Sequence, residues 1–184
     1  MKILSAGIDE INFNINADSF NGRMTFLNKP SNVLWGSTYT PQDYYKSDWL
    51  CWCTNEDFKL DKYNHGVIYN LHKNARILDI TSIEDYKNKI VDGNYLMEDT
   101  TTAILSSDKK LLIIDWDAVA RDYDAFHITS DAVWGMRYSI HSDNDKEVYK
   151  DFYSWDVESW VIFHKDCINK GSITNISLKN IIRD

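Results

Sequence analysis

The sequence predicts an α+β fold built from mixed and antiparallel β-sheets with short flanking helices. Three observations carry that expectation. Aromatic residues are abundant, with 7 Trp, 11 Tyr and 7 Phe, and such residues favour strands and apolar pockets. Short β-prone runs alternate with short helical patterns, without the regular strand–helix spacing of a doubly wound parallel sheet. The chain has 184 residues, 43% of them apolar, enough for a single domain that buries a core without disulfides or metals.

The elements follow in order. Met1 to Leu4 reads as a short strand. Arg23 to Leu27 and Val33 to Thr38 read as two more, separated by turn-forming Asn28 to Asn32 around Pro30. Ser47 is placed to cap a helix through Phe58, with Trp49, Trp52 and Cys53 on one face. Gly66 to Leu71 and Ala75 to Ile80 form an expected strand pair about the Lys73-Asn74 turn. Ser82 and Asp85 make the aspartate form of a capping box, opening a helix to about Val91 with Ile83, Tyr86 and Ile90 buried. Thr102 to Leu105 and Leu111 to Ile114 read as strands, and Asp117 to Asp122 as a short helix. Ala125 to Thr129 is a strand, after which Ser130 caps a helix to Arg137. Ser139 to Lys150 reads as an exposed loop. Phe152 to Phe163 reads as one long strand and Ile173 to Leu178 as a terminal one.

The net charge of −8 argues against nucleic-acid binding, because an acidic chain repels the phosphate backbone and no Lys/Arg-rich run offsets it. Cys51, Cys53 and Cys167 are an odd set with poor spacing for disulfides or zinc, so free thiols are expected. No two of the five histidines share helix-ligand spacing, and no metal is expected. Met1 to Phe13 lacks a signal-peptide core and no apolar stretch approaches a bilayer span, so a cytoplasmic protein without membrane contact is expected.

Two segments carry candidate chemistry. In Ser154 to Phe163, strand alternation puts Asp156, Glu158, Trp160 and Ile162 on one face and Val157, Val161 and Phe163 on the other. Two carboxylates beside apolar groups repel each other and lose hydration, which calls for a partner or a task. The plainer alternative is an acidic strand end facing water. In Leu34 to Thr40, Gly36 permits close approach of a ligand or backbone. Ser37 and Thr38 supply hydroxyls, and Trp35 and Tyr39 flat faces for stacking. Its plainer alternative is a bulge with surface threonines.

Asp156-Val157-Glu158, followed by the hydrophobic Trp160 to Phe163, resembles the acidic-x-Glu motif of the ADP-ribosyltransferase superfamily. Leu34 to Thr38 is similar to that family's hydroxyl motif, with Ser37 and Thr38 in the hydroxyl positions. The first motif departs: Ser5 stands where the family has His or Arg, and Arg23 is the other candidate for that role. The resemblance implies a split β-sandwich and NAD as substrate. It also implies Glu158 stabilising positive charge on the ribose, with Asp156 orienting or deprotonating an acceptor, which could be a protein. Trp35 or Tyr39 would stack on nicotinamide, and Ser37 would brace Glu158.

Two other readings stand beside this one. An acidic, aromatic-rich chain also suits a non-catalytic protein-binding module, an inhibitor or adaptor. The Asn-, Lys-, Tyr- and Asp-heavy composition fits an AT-rich genome such as that of a phage or bacterium. Asp115, Asp117, Asp122 and Asp124 after a hydrophobic strand would suit a metal-dependent hydrolase.

Overall fold

The structure, a computed structural model, describes residues 1–13, 19–21, 28–58, 63–99, 110–137, 140–141, 147–149, 152 and 154–179. The first strands are β1 (Ile3–Ala6), β2 (Leu34–Thr38), β3 (His65–Tyr69) and β4 (Ile77–Ile80). They are followed by β5 (Leu96–Glu98), β6 (Lys110–Ile114), β7 (Ala125–Ile128) and β8 (Ile140–His141). The last are β9 (Glu147–Tyr149), β10 (Ser159–Ile162) and β11 (Thr174–Ser177). The helices are α1 (Asp48–Asn55), α2 (Ile83–Tyr86), α3 (Trp116–Asp122) and α4 (Ser130–Gly135). This is a mixed α+β architecture with few, short helices, as the irregular strand–helix spacing predicts.

Seven strands form one sheet in the order β11-β3-β1-β2-β10-β7-β4, and four form a second in the order β5-β6-β9-β8. In the large sheet every pairing is antiparallel except β4 with β7. Alternation then divides the side chains of the sheet. Leu78, Ile80, Phe126, Ile128 and Val161 enter an aromatic core with Trp116, Phe152 and Trp155. Trp160, Ile162 and Ala125 face the other way, into a cluster with Ile3, Val67 and Tyr69. Leu4, Ile68 and Leu50 form a third cluster beneath α1.

Local signals act as expected at several ends. The Ser47 hydroxyl accepts from the Leu50 amide and caps α1, which stops at Asn55 rather than Phe58. The Ser82 hydroxyl accepts from Asp85 N, and the Asp85 carboxylate reaches back to Thr81 N, one residue before the box position. The helix beyond α2 loosens into a π-turn over Lys87–Val91, and Ile83 turns out to be exposed. The cap of α4 is Thr129, not Ser130.

Three expectations need correction. β3 and β4 do not pair: β3 lies between β1 and β11, while β4 runs parallel to β7 at the far edge. The intervening chain does turn, with Ala75 N donating to His72 O, but Leu71 bridges to Ile168 and carries it across the sheet. The long strand Phe152 to Phe163 is a four-residue strand preceded by a turn in which Trp155 N donates to Phe152 O. Burying the Trp155 ring in the aromatic core bends the chain there and leaves Glu158 just outside the ladder. Within the expected loop Ser139 to Lys150, 140–141 and 147–149 are strands of the second sheet. The expected strands Arg23 to Leu27 and Thr102 to Leu105 lie outside the described residues.

Gly36 faces the Ile3–Tyr69 cluster at the crossing of β1, β2 and β10. A Cβ there would sit 2.5 Å from Ile3 Cγ2 and 3.2 Å from Leu4 O. Gly36→Ala is therefore expected to cost about 2 kcal/mol through overpacking, read as a lowered urea midpoint with an unchanged slope. A wild-type midpoint would mean that Ile3 yields without strain.

Candidate functional site

The strands β1, β2 and β10 are neighbours in the sheet, and a cavity of about 400 Å³ opens beside them. Trp35 and Gly36 of β2, Leu4 and Ala6 of β1, and the segment Trp155 to Ser159 line it. Trp49 of α1 and Tyr63 add an aromatic wall, and Lys29 with Pro30 closes another side. Asn28 holds that last side in place. Its backbone is left-handed, with φ of 48°. Its side-chain oxygen accepts from Ile114 N, and its carbonyl accepts from Trp155 Nε1.

Glu158 is 8% exposed and its carboxylate is tightly bound. The Ser37 hydroxyl donates to Oε2 at 2.6 Å and the Thr38 hydroxyl to Oε1 at 2.7 Å. The Thr38 amide donates to Oε2 at 3.0 Å. His127 Nε2 lies 2.9 Å from Oε1. The Glu158 amide donates to Ser130 Oγ, whose hydroxyl donates in turn to Asp48, so α4 and α1 both hold this segment. Burial pushes the carboxyl up, but His127, Ser37 and Thr38 outweigh it and hold Glu158 below the ordinary carboxylate range. The group is ionised and preorganised at the edge of the cavity.

Asp156 lines the same cavity with its pKa displaced in the opposite direction. Burial raises its pKa above the usual value, against the pull of Lys29 and Arg137, and Glu56 adds to the rise. Burial likewise lowers Lys29, partly offset by Asp156, while its ammonium lies 5.9 Å from the Trp35 ring. Two carboxylates with displaced pKa values in one aromatic cavity suit separate roles, one as fixed negative charge and one as proton acceptor.

The other expected residues are distributed as follows. Trp35 lines the cavity and meets Trp155 edge to face. Thr38 and Ser37 serve Glu158. Tyr39 packs instead on the Leu4–Leu50 cluster beneath α1 and is not among the lining residues. Ser5 is 2% exposed, with its hydroxyl donating to Trp35 O and sharing a bond with Tyr69 OH, so it braces the sheet from inside. Arg23 lies outside the described residues.

Sequence reasoning missed His127 and Asp79. Register makes them cross-strand partners of each other, and pairs His127 with Trp160. Asp79 Oδ1 lies 2.7 Å from His127 Nδ1, and the ring stacks on Trp160 at 4.2 Å. Trp160 Nε1 donates to the Thr38 hydroxyl, closing a loop of contacts around Glu158. The available signal was alternation: His127 and Asp79 are the polar members of Ala125-Phe126-His127-Ile128 and Ile77-Leu78-Asp79-Ile80.

Of the remaining acidic residues, Asp115 and Asp117 share the Asn21 amide, and each of the four is engaged by protein groups. Asp115 caps α3, Asp117 binds Ser19 and Asn21, Asp122 accepts from Tyr95, and Asp124 pairs with Arg76. Among the described residues no three acidic, His or Cys side chains form a metal-holding group. Burial pushes the thiols of Cys53 and Cys167 up to about 12, which makes them poor nucleophiles. Among the described residues no helix is long and apolar enough to cross a membrane. No protein-family model, no curated protein and no solved structure matches the chain.

Proposed function

We propose that the cavity beside Glu158 binds NAD and transfers its ADP-ribose to an acceptor, in the manner of an ADP-ribosyltransferase on a split β-sandwich. One observation carries this reading. The Ser37 and Thr38 hydroxyls bind Glu158 from 121 and 120 residues away, and Glu158 lines an aromatic cavity together with Asp156. At about 400 Å³ the cavity falls within the usual size for small-molecule sites.

The chemistry suits these groups. The bond from the ribose anomeric carbon to the nicotinamide nitrogen breaks, and its electron pair leaves with nicotinamide. Positive charge grows on the ribose, where the ionised Glu158 stabilises it. An acceptor lone pair closes the new bond, and Asp156 takes the acceptor proton. Glu158 already holds its full complement of donors. A ribose hydroxyl engages it by replacing one of the two rotatable hydroxyls, Ser37 or Thr38, which occupy that place in the free protein. Trp35 offers its ring to nicotinamide.

Incubation with NAD labelled in the nicotinamide and adenine portions tests this directly. Nicotinamide release with label on an acceptor or in free ADP-ribose is the expected result. Melting is the cheaper measurement: NAD at 100 times its dissociation constant should add about 2.7 kcal/mol of stability. Absence of both nicotinamide release and a melting shift with NAD would sink the reading.

A second reading, a non-catalytic docking module, is favoured by one feature. Trp134 on α4 is 61% exposed with Arg137 over its ring, and such aromatic–arginine pairs are common at interfaces. It predicts no response to NAD and a Trp134-dependent response to a partner protein.

A further inference from the structure

Three neighbouring strands set Asp79, His127 and Trp160 side by side on the face opposite the aromatic core, and the chain entering β10 adds Glu158 at the end of the row. We propose that Asp79 and His127 form with Glu158 a carboxylate–imidazole–carboxylate relay. In it, His127 is the positioning residue for Glu158, and Asp79 is the end through which the relay exchanges its proton with solvent. This deepens the NAD reading and rests on it for the task that Glu158 performs.

The geometry gives each member a separate part. Both ring nitrogens of His127 lie against carboxylate oxygens, at 2.7 Å and 2.9 Å. Only an imidazolium donates to both. Burial pulls the ring down, but the bonds to Glu158 and Asp79 outweigh it and hold His127 above its ordinary value. Among the described residues the charged groups facing it are Glu158 and Asp79. Lys89, paired with Asp85, reaches the Asp79 carbonyl from the helix side. The two ends differ in access: the side chain of Asp79 is 50% exposed and that of Glu158 is 9% exposed. When the ring loses one proton, water can replace the bond at Asp79 but not the bond at buried Glu158. The proton that stays is therefore on Nε2, and the one that leaves departs from Nδ1 on the Asp79 side. Trp160, stacked on the ring, keeps it in the plane that this requires.

Asp79→Asn is the informative variant, because Asp79 sits at the exposed end and its amide keeps the shape. In the full chain with labelled histidine, the His127 ring titration should move down by about one pH unit. Nicotinamide release should show kcat reduced about tenfold on the alkaline side, the effect of a one-unit shift in the proton that positions Glu158, with KM nearly unchanged and the alkaline limb shifted to lower pH. His127→Gln should remove that limb. An unchanged His127 midpoint in Asp79→Asn overturns the proposal, as does a moved midpoint with an unaltered kcat–pH profile. Absence of nicotinamide release from the wild type sinks the NAD reading alone, and the midpoint by itself then decides the relay.

Discussion

Glu158→Gln is expected to reduce nicotinamide release about a thousandfold while leaving NAD binding within a few-fold of the wild type. Glutamine keeps the shape of the side chain and its contacts with the Thr38 amide and one hydroxyl. It loses the negative charge that the oxocarbenium-like ribose requires, and it presents an amide N–H₂ to donors already aimed at it. The cost to folding is about 2 kcal/mol, the magnitude of a lost charged hydrogen bond in a buried site. The protein should therefore stay folded at room temperature, and the rate loss should appear in kcat rather than KM. Equilibrium binding of NAD, followed by calorimetry beside single-turnover release, separates the two effects. A variant that retains wild-type release would remove Glu158 from the chemistry. One that is folded but blind to NAD would make it a binding group instead.

What the sequence made legible was the part governed by short-range rules. Alternation in Ser154 to Phe163 separates Trp160 and Ile162 from Val161 and Phe163, and the structure keeps that division. Ser47 and Ser82 cap the helices that they precede, because a hydroxyl at that position meets an amide three residues on. That Ser37 braces Glu158 was expected from motif likeness, whereas the bonds from Thr38 were not. The rest depended on register between distant segments. His127 is 48 residues from Asp79 and 31 from Glu158, so no local pattern joins them. The same holds for β4, whose turn signals suggested β3 as partner although its ladder lies with β7. Trp155 misled differently. A tryptophan amid β-prone neighbours reads as strand, but burying its ring against Trp116 and Phe126 bends the chain. That bend places Glu158 at the cavity instead of in the ladder.

The coupling between Glu158 and His127 should be bell-shaped in pH, and its sign follows from two opposite displacements. His127 is raised above its ordinary 6.5 when folded, burial notwithstanding, by Glu158 and Asp79. Its stabilisation is complete below about 6.5 and is lost as pH rises through the folded value. Glu158 is lowered beneath its ordinary 4.5, burial again opposing, by His127, Ser37 and Thr38. Its stabilisation is complete above about 4.5 and is lost as pH falls through the folded value. Between 4.5 and 6.5 both contributions are whole. A double-mutant cycle with His127→Gln and Glu158→Gln, each protein unfolded in urea across this range, should give a coupling of about 3 kcal/mol within that window. The coupling should decline on either side, because a neutral imidazole or a neutral carboxyl leaves an ordinary hydrogen bond where there was a buried ion pair. Removing Glu158 alone should cost more than removing both, since it strands an imidazolium with Asp79 as its remaining counter-charge. A coupling that is flat in pH would mean the pair is neutral when folded, and a coupling that grows with alkalinity would reverse the assignment of which group carries the proton.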